Sequence, residues 1–242
     1  MTVSPDIFVA QYGRSILYHN NGDETFDDHA DQTAIGKATR LMSGWGLKFF
    51  DYDNDGNLDL MLANGNPDDL ISSVHPDVSY REPLMLFHND GKTLLDVSAG
   101  SGPVFSRPLS ARGLAVGDFD NDGAVDVLVA VNDASPLLLR NTAAKDNHWL
   151  GIKLVGTRSN RDAVGARVTY QAADLKRSLM KVAGGSYLSS HDPRIVLGLG
   201  KRTKMDWLEV KWPQPGGGTE RFTDLSIDRY ITIVEGHGSR KS

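Results

Sequence analysis

The chain has no cysteine. Disulfides, thiolate metal sites and a cysteine nucleophile are thereby excluded. It has no surplus of basic charge either: 26 Lys and Arg stand against 31 Asp and Glu, a formal net charge of −5. No basic stripe runs along it to follow a phosphate backbone, so nucleic acid is not an expected partner. Apolar runs of membrane-spanning length are missing, and membrane insertion is not expected. The opening residues Met1-Thr2-Val3-Ser4-Pro5-Asp6 show neither the basic nor the apolar region of a secretory signal peptide. Helical periodicity is nearly absent, with Asp174-Leu175-Lys176-Arg177 its only hint. What remains is the composition of a soluble globular protein, 40% hydrophobic and 24% charged over 242 residues, enough for one large domain or two ordinary ones.

The acid that is present is concentrated. Eight of the 31 Asp and Glu fall in two copies of one loop. The first copy is Asp51-Tyr52-Asp53-Asn54-Asp55-Gly56-Asn57-Leu58-Asp59, and the second is Asp118-Phe119-Asp120-Asn121-Asp122-Gly123-Ala124-Val125-Asp126. Each places carboxylates at its first, third, fifth and ninth positions and Gly at its sixth. A backbone curled around a point brings such alternating side chains together, and Gly supplies the left-handed turn that a Cβ would penalise. Four carboxylates so close repel one another unless a cation, salt or protons intervene. Oxygen-only donors favour a hard ion, and Ca²⁺ suits them better than Mg²⁺, which gives up its water reluctantly. The expected ligands are Asp51, Asp53, Asp55 and Asp59, with the carbonyl of Asn57, and Asp118, Asp120, Asp122 and Asp126, with the carbonyl of Ala124. Two Ca²⁺ sites follow. An EF-hand is excluded, because its twelfth position needs a bidentate Glu where Leu62 and Val129 stand, and its flanks should be helical.

The flanks instead read as strands. Gly46-Leu47-Lys48-Phe49-Phe50 and Gly113-Leu114-Ala115-Val116-Gly117 precede the loops; Leu60-Met61-Leu62-Ala63 and Val127-Leu128-Val129-Ala130 follow them. A second unit interleaves with the first. Leu17-Tyr18-His19-Asn20-Asn21-Gly22 matches Leu86-Phe87-His88-Asn89-Asp90-Gly91, and Leu138-Leu139-Arg140-Asn141 is an eroded third copy. Strand, acidic loop, strand, connection, strand and turn make a hairpin array at propeller-blade spacing. Asp6-Ile7-Phe8-Val9-Ala10 aligns with Asp59-Leu60-Met61-Leu62-Ala63, which makes Asp6 the last acid of a further loop. On that ground the chain is expected to be the C-terminal part of a longer protein carrying the remaining blades. Residues 65–83 read as an insertion at a blade edge.

From about residue 146 the repeat gives way to alternating strands such as Trp207-Leu208-Glu209-Val210-Lys211-Trp212, with Pro213-Gln214-Pro215-Gly216 as a turn. The expected fold class is all-β: partial propeller-like repeats over 1–145, a small antiparallel β-sandwich over 146–237, and a disordered tail over 238–242.

These residues resemble two known families. The acidic loops with their apolar flanks resemble FG-GAP (VCBS) repeats, the calcium-binding blades of propellers. Asn147-His148-Trp149-Leu150, Gly165-Ala166-Arg167, Gly184-Gly185-Ser186-Tyr187-Leu188-Ser189, Gly198-Leu199-Gly200 and Val210-Lys211-Trp212-Pro213 resemble the ASPIC/UnbV domain. The pairing is similar to that of the cartilage acidic protein family. The resemblance implies calcium at the loop residues named above, a secreted or cell-surface location, and a protein or glycan ligand.

Other motifs carry less. His19, His88 and Arg140 share one repeat position, which suits packing or a hydrogen bond rather than metal ligation. Ser189-Ser190-His191-Asp192 holds the side chains of a hydrolase but lies in one segment, whereas triads are built from separated ones, and no G-x-S-x-G elbow accompanies it. Ser159-Asn160-Arg161-Asp162 reads as a connection or a recognition loop, and Trp207 as an aromatic on the polar face of its strand. The expected function is a calcium-stabilised, non-catalytic binding module; a polysaccharide hydrolase or lyase, or a structural spacer, are the alternatives.

Overall fold

Short runs of β-branched, aromatic and aliphatic residues alternate with Asn-, Asp- and Gly-rich turns along the chain, and the runs become strands. A computed structural model describes residues 5–215 and 217–241. Among these the fold is all-β, interrupted only by brief helical turns. Strands β1 (Ile7–Val9), β2 (Ile16–Asn20) and β3 (Phe26–Asp28) form a first antiparallel meander. Helix α1 (Ala34–Ala38) leads to the second, made of β4 (Gly44–Phe50), β5 (Asp59–Asn64), β6 (Met85–Asn89) and β7 (Leu94–Asp96). A single turn of helix, α2 (Ile71–Val74), lies in the long connection from β5 to β6 that the sequence marks as an insertion. The third meander is β8 (Ala111–Gly117), β9 (Asp126–Val131) and β10 (Leu137–Leu139).

These three sheets stack face to face, as propeller blades do. Strand β5 shows why its sequence is an unbroken apolar run. Leu60 and Leu62 join Phe8, Leu17 and Phe87 in one core, while Met61 and Ala63 join Leu114, Val127 and Val129 in the next. A strand covered on both faces has no polar side to show. Strand β9 is covered on one face only: Val127 and Val129 are buried, and Leu128 between them is 47% exposed.

The rest of the chain makes two four-stranded sheets. In order along the chain the strands are β11 (His148–Val155), β12 (Arg167–Ala172), β13 (Leu175–Met180), β14 (Ile195–Gly200), β15 (Trp207–Lys211), β16 (Thr219–Phe222), β17 (Tyr230–Val234) and β18 (Gly238–Lys241). One sheet has the order β14-β11-β17-β18 and the other β13-β12-β15-β16. Leu150, Ile152 and Leu197 of the first face Val168, Tyr170, Leu208 and Val210 of the second in one shared core. The two sheets are thus a sandwich.

Three details depart from the sequence reading. The sandwich is not purely antiparallel, because β11 and β17 pair in parallel from Gly151↔Tyr230 to Val155↔Val234. The tail is not disordered over its described part: Gly238–Lys241 pairs with β17, and Ser242 lies outside the described residues. Its Gly-Ser-Arg-Lys composition resembles a linker, but the open edge of β17 offers it a full set of backbone partners. Residues 174–177 form no helix. Ala173 at φ 50° turns the chain between β12 and β13, and Leu175 already pairs with Ala172.

Candidate metal loops

The two acidic segments span the hairpins β4–β5 and β8–β9, so strands flank both, as expected. Each loop curls through a left-handed pair of positions. Asn54 and Gly56 have φ of 58° and 95°, and Asn121 and Gly123 have 60° and 88°. Asn adopts this region more readily than most residues, and Gly does so freely. The curl turns backbone N–H groups inward onto the first acid. Asp51 Oδ1 accepts from Asp55 N at 3.0 Å and Oδ2 from Gly56 N at 2.8 Å. Asp118 repeats this with Asp122 N at 3.1 Å and Gly123 N at 2.7 Å. The fifth acid also caps its own turn: Asp55 accepts from Asn57 N at 2.6 Å and Asp122 from Ala124 N at 2.9 Å.

The result is convergence. Carboxylate oxygens of Asp51, Asp53 and Asp55 lie within 4.8 Å of one another, and so do those of Asp118, Asp120 and Asp122. The ninth acids take a different post. Asp59 accepts from Tyr52 N at 3.1 Å and Asn89 N at 2.8 Å; Asp126 accepts from Phe119 N at 3.2 Å and Asn141 N at 2.8 Å. They tie the start of each loop to the next strand. Asp59 still groups with Asp53, whereas Asp126 stands outside the cluster of Asp118, Asp120 and Asp122. Of the seventh residues, Asn57 commits its side chain to Asp55 and Arg177, and Ala124 has only backbone to give.

Electrostatics distinguish the first loop. Burial pushes Asp51 well above the ordinary carboxylate range; the Gly56 N–H opposes this, and Asp55, Asp59 and Asp53 add to it. Asp53 is raised by burial and by Asp55. Asp59 is pushed up to about 7 by burial, against the N–H groups of Asn89 and Tyr52. In the second loop burial raises Asp126. Burial first, and the neighbouring carboxylates second, disfavour the charged form of these groups, and a cation placed among them would act in the opposite direction. An all-oxygen donor set, three converging carboxylates and a Gly turn that admits no Cβ fit a Ca²⁺ ion.

The shared position of His19, His88 and Arg140 brings a nitrogen to an acid in each case, in keeping with a hydrogen-bonding role. His19 Nδ1 lies 3.1 Å from Asp6, His88 Nδ1 lies 3.1 Å from Asp59 and 3.6 Å from Asp53, and Arg140 lies 2.9 Å from Asp120 and 3.4 Å from Asp122. Sequence reasoning set His88 apart from the metal loops, yet the structure groups it with Asp53 and Asp59. The signal was available in the recurrence of basic residues opposite each acidic loop. The following Asn was also under-read. The N–H of Asn20, Asn89 and Asn141 donates to Asp6, Asp59 and Asp126 at 2.9, 2.8 and 2.8 Å. Their side-chain amides donate to the carbonyls of Pro5, Leu58 and Val125 at 3.3, 3.0 and 3.1 Å. Asp6 therefore occupies in the first sheet the place of Asp59 and Asp126.

The loop tips are not free ends. Asn54 donates to Gly123 O at 3.0 Å, joining the two loops directly. Its own carbonyl accepts from Gly200 N at 2.7 Å. Arg177 donates to Gly56 O at 2.7 Å, Asn147 to Asp53 O at 2.7 Å, and Tyr230 to Asp118 Oδ2 at 2.6 Å. Arg194 reaches Asp118 O at 2.7 Å. Both acidic loops are pressed against the sandwich.

The remaining motifs resolve simply. His191 Nδ1 accepts from Val116 N at 3.2 Å, and Asp192 is clasped by Arg194, so Ser189, His191 and Asp192 form no triad. The amides of Thr157, Arg158 and Ser159 converge on Glu235 at 3.0, 2.8 and 2.8 Å, which makes residues 157–159 a fastened connection. Trp207 is half-buried, with Arg221 over its ring at 4.3 Å and Lys176 at 5.6 Å, and is no open platform.

Comparison with known proteins finds two family matches. Residues 4–62 match the FG-GAP-like repeat family, a span that includes the first acidic loop, and residues 156–240 match the ASPIC and UnbV family. Cartilage acidic protein 1 of Xenopus tropicalis is 26% identical over 286 aligned residues, covering 98% of this chain and 44% of the relative. The Homo sapiens protein of that name is 26% identical over 259, covering 86% and 38%. The chain thus spans 38–44% of the length of these relatives. Among solved structures, a mutant of Aleuria aurantia lectin in complex with alpha-methyl-L-fucoside aligns over 95% of this chain and 79% of its own at 11% identity. Its TM-score of 0.28 is too low to bear on fold or ligand.

Proposed function

We propose that this chain, which pairs FG-GAP-like repeats with an ASPIC/UnbV domain, is a calcium-stabilised binding module that works outside the cell. The observation that carries this reading is the convergence of Asp51, Asp53 and Asp55, and of Asp118, Asp120 and Asp122, in two loops of one backbone pattern. Ca²⁺ held there would offset the repulsion among carboxylates brought this close together. Because both loops are wedged between blades and sandwich, the ion would fasten one domain to the other rather than shape an exposed tip. Modules of this kind bind calcium at about 10⁻⁴–10⁻³ M, a range suited to extracellular fluid. The relatives' name, cartilage acidic protein, supports the same location. A protein or glycan ligand is favoured over polysaccharide hydrolysis, which needs a free pair of carboxyls, because Asp192 is held by Arg194, Asp118 by Tyr230 and a loop amide, and Asp51 by a loop amide.

Thermal melting tests the calcium reading. At 10 mM Ca²⁺ and a Kd of about 10⁻⁴ M, one site adds roughly 2.7 kcal/mol. For a chain of this size that raises Tm by about 5–10 °C. Mg²⁺ at the same concentration is expected to give a much smaller shift. Equal melting with calcium and with chelator would overturn the proposal.

A further inference from the structure

A cleft of about 450 Å³ opens between blades two and three on one side and the sandwich with its 181–194 segment on the other. Its walls are largely apolar, from Phe49, Val164, Leu179, Val182 and Ile195. Pockets of about 300–1,000 Å³ at domain junctions, apolar with a few aimed polar groups, are where small ligands bind.

The polar groups here are cationic and underused. The ammonium of Lys48, a half-buried residue in the middle of β4, makes no hydrogen bond or ion pair among the described residues. Lys181 is buried, and its ammonium donates to the carbonyl of Pro193, with two further N–H groups to spare. His191 lines the same cleft, within electrostatic reach of both. Its Nδ1 accepts from Val116 N at 3.2 Å, so a neutral ring carries its proton on Nε2. That Nε2 is buried and has no partner. The ring stays neutral at pH 7 because burial, Lys48 and Lys181 hold it down to about 4. Burial and Lys181 also lower Lys48. Two like charges and an orphaned donor around one apolar space are an arrangement that an anion would relieve.

The lining acids narrow the class. Asp192 is clasped by Arg194, Asp118 is held by loop amides and Tyr230, and Asp51 by loop amides. Asp162 is exposed at the rim. The first three are occupied, Asp192 and Asp162 act on Lys181, and the field of the four disfavours a second negative charge, which argues against phosphate or sulfate dianions. We propose that this cleft binds a small monocarboxylate with an apolar body, its carboxylate received by Lys48, Lys181 and the Nε2–H of His191. The site is distinct from the expected calcium ligands in role, although Asp51 and Asp118 border it, and it does not depend on a protein or glycan ligand for the module.

Isothermal titration of the full chain in calcium buffer tests this, with sodium octanoate as probe and 1-octanol, octylammonium and glucuronate as comparisons. Octanoate is expected to bind at one site at least tenfold more tightly than each of the three. Lys48→Met should weaken octanoate tenfold or more, and Lys153→Met, on the exposed face of β11, should not. The wild-type protein gives a readout independent of any variant's folding: octanoate should shift the His191 Nε2–H signal in imidazole ¹H–¹⁵N spectra. Octanol or octylammonium binding as tightly as octanoate, glucuronate doing the same, full affinity in a folded Lys48→Met, or an unmoved His191 signal at saturating octanoate would each overturn the proposal.

Discussion

Glu82 shows how a single side chain can set a pH dependence far from the acidic loops. It is buried where residues 82 and 109 bridge the second and third sheets, and its Oε2 accepts from Ser43 N at 2.7 Å. Its other oxygen, Oε1, is buried without a partner. Burial pushes this carboxyl up to about 7 from the ordinary 4.5, against the Ser43 bond and the positive charge of Arg112. The folded protein therefore holds a proton that the unfolded chain releases across this interval. Where the native state binds more protons, stability falls as pH rises. The contribution is harmless below about pH 4.5 and at its most destabilising above about pH 7. Gln keeps an acceptor for Ser43 and carries no charge. Glu82→Gln is expected to raise unfolding free energy at pH 8 by about 1–3 kcal/mol and to change it little at pH 4.5. Urea titrations at the two pH values measure this, and equal effects at both would rule out the buried carboxyl as the source. The position was unremarkable in the sequence, because Arg81-Glu82-Pro83 reads as a polar connection. Partners remote in sequence surround it, Leu109, Ser43 and Arg112 among them.

At the scale of the element, the hairpin and its Asn form the working unit. Asn141 shows the most developed case. Its side-chain N–H groups reach Val125 O at 3.1 Å within its own sheet and Tyr52 O at 2.6 Å in the neighbouring one, while its Oδ1 accepts from Ala143 N at 2.9 Å. Asn20 makes the equivalent local bonds in an exposed setting and has no bond to another sheet among the described residues. Removing a partner from buried groups costs more than removing it from solvated ones. Asn141→Ala is therefore expected to destabilise by about 2–3 kcal/mol and Asn20→Ala by under about 1 kcal/mol, read as urea midpoints at constant m. Equal losses would mean that the cross-sheet bond is idle. Much of this layer was legible beforehand. Apolar runs with β-branched residues marked the strands around both loops, and the alternation of Trp207 to Trp212 marked β15. Repetition of Asp and Gly marked the curl. What stayed hidden depended on partners remote in sequence. Gly238–Lys241 is a strand because β17 has an open edge, and Asp174 sits in a hairpin turn because Leu175 pairs back on Ala172. His19, His88 and Arg140 showed their repeat position but not the acids they face.

For the whole molecule, the decisive contact is the one between the acidic loops and the sandwich, and no local pattern announced it. Sequence alone placed the loops at hairpin ends, where they would ordinarily be exposed. Glycines on both sides allow the approach instead. A Cβ on Gly198 would lie 2.0 Å from Asp51 Oδ2 and 2.7 Å from Asn54 Cα; one on Gly123 would lie 1.9 Å from the Trp149 ring. Gly198 has ordinary strand geometry, so a side chain there strains the joint and not its own backbone. The first loop leans on β14 at this point, through Asn54 O and Gly200 N. Gly198→Val is thus expected to push the blades and sandwich apart while leaving the core that joins Leu150 and Val168 intact. Such parting would expose the connection over residues 140–147, where Arg140 and Lys145 offer cleavage points. Limited trypsin digestion in calcium should cut the variant there at least tenfold faster than the wild type, releasing a sandwich-sized fragment. The same digestion of wild-type protein in chelator should move in that direction if the ion fastens the joint. Digestion of Gly198→Val at the wild-type rate, with both domains folded by circular dichroism, would show that the contact through β14 does not hold the two parts together.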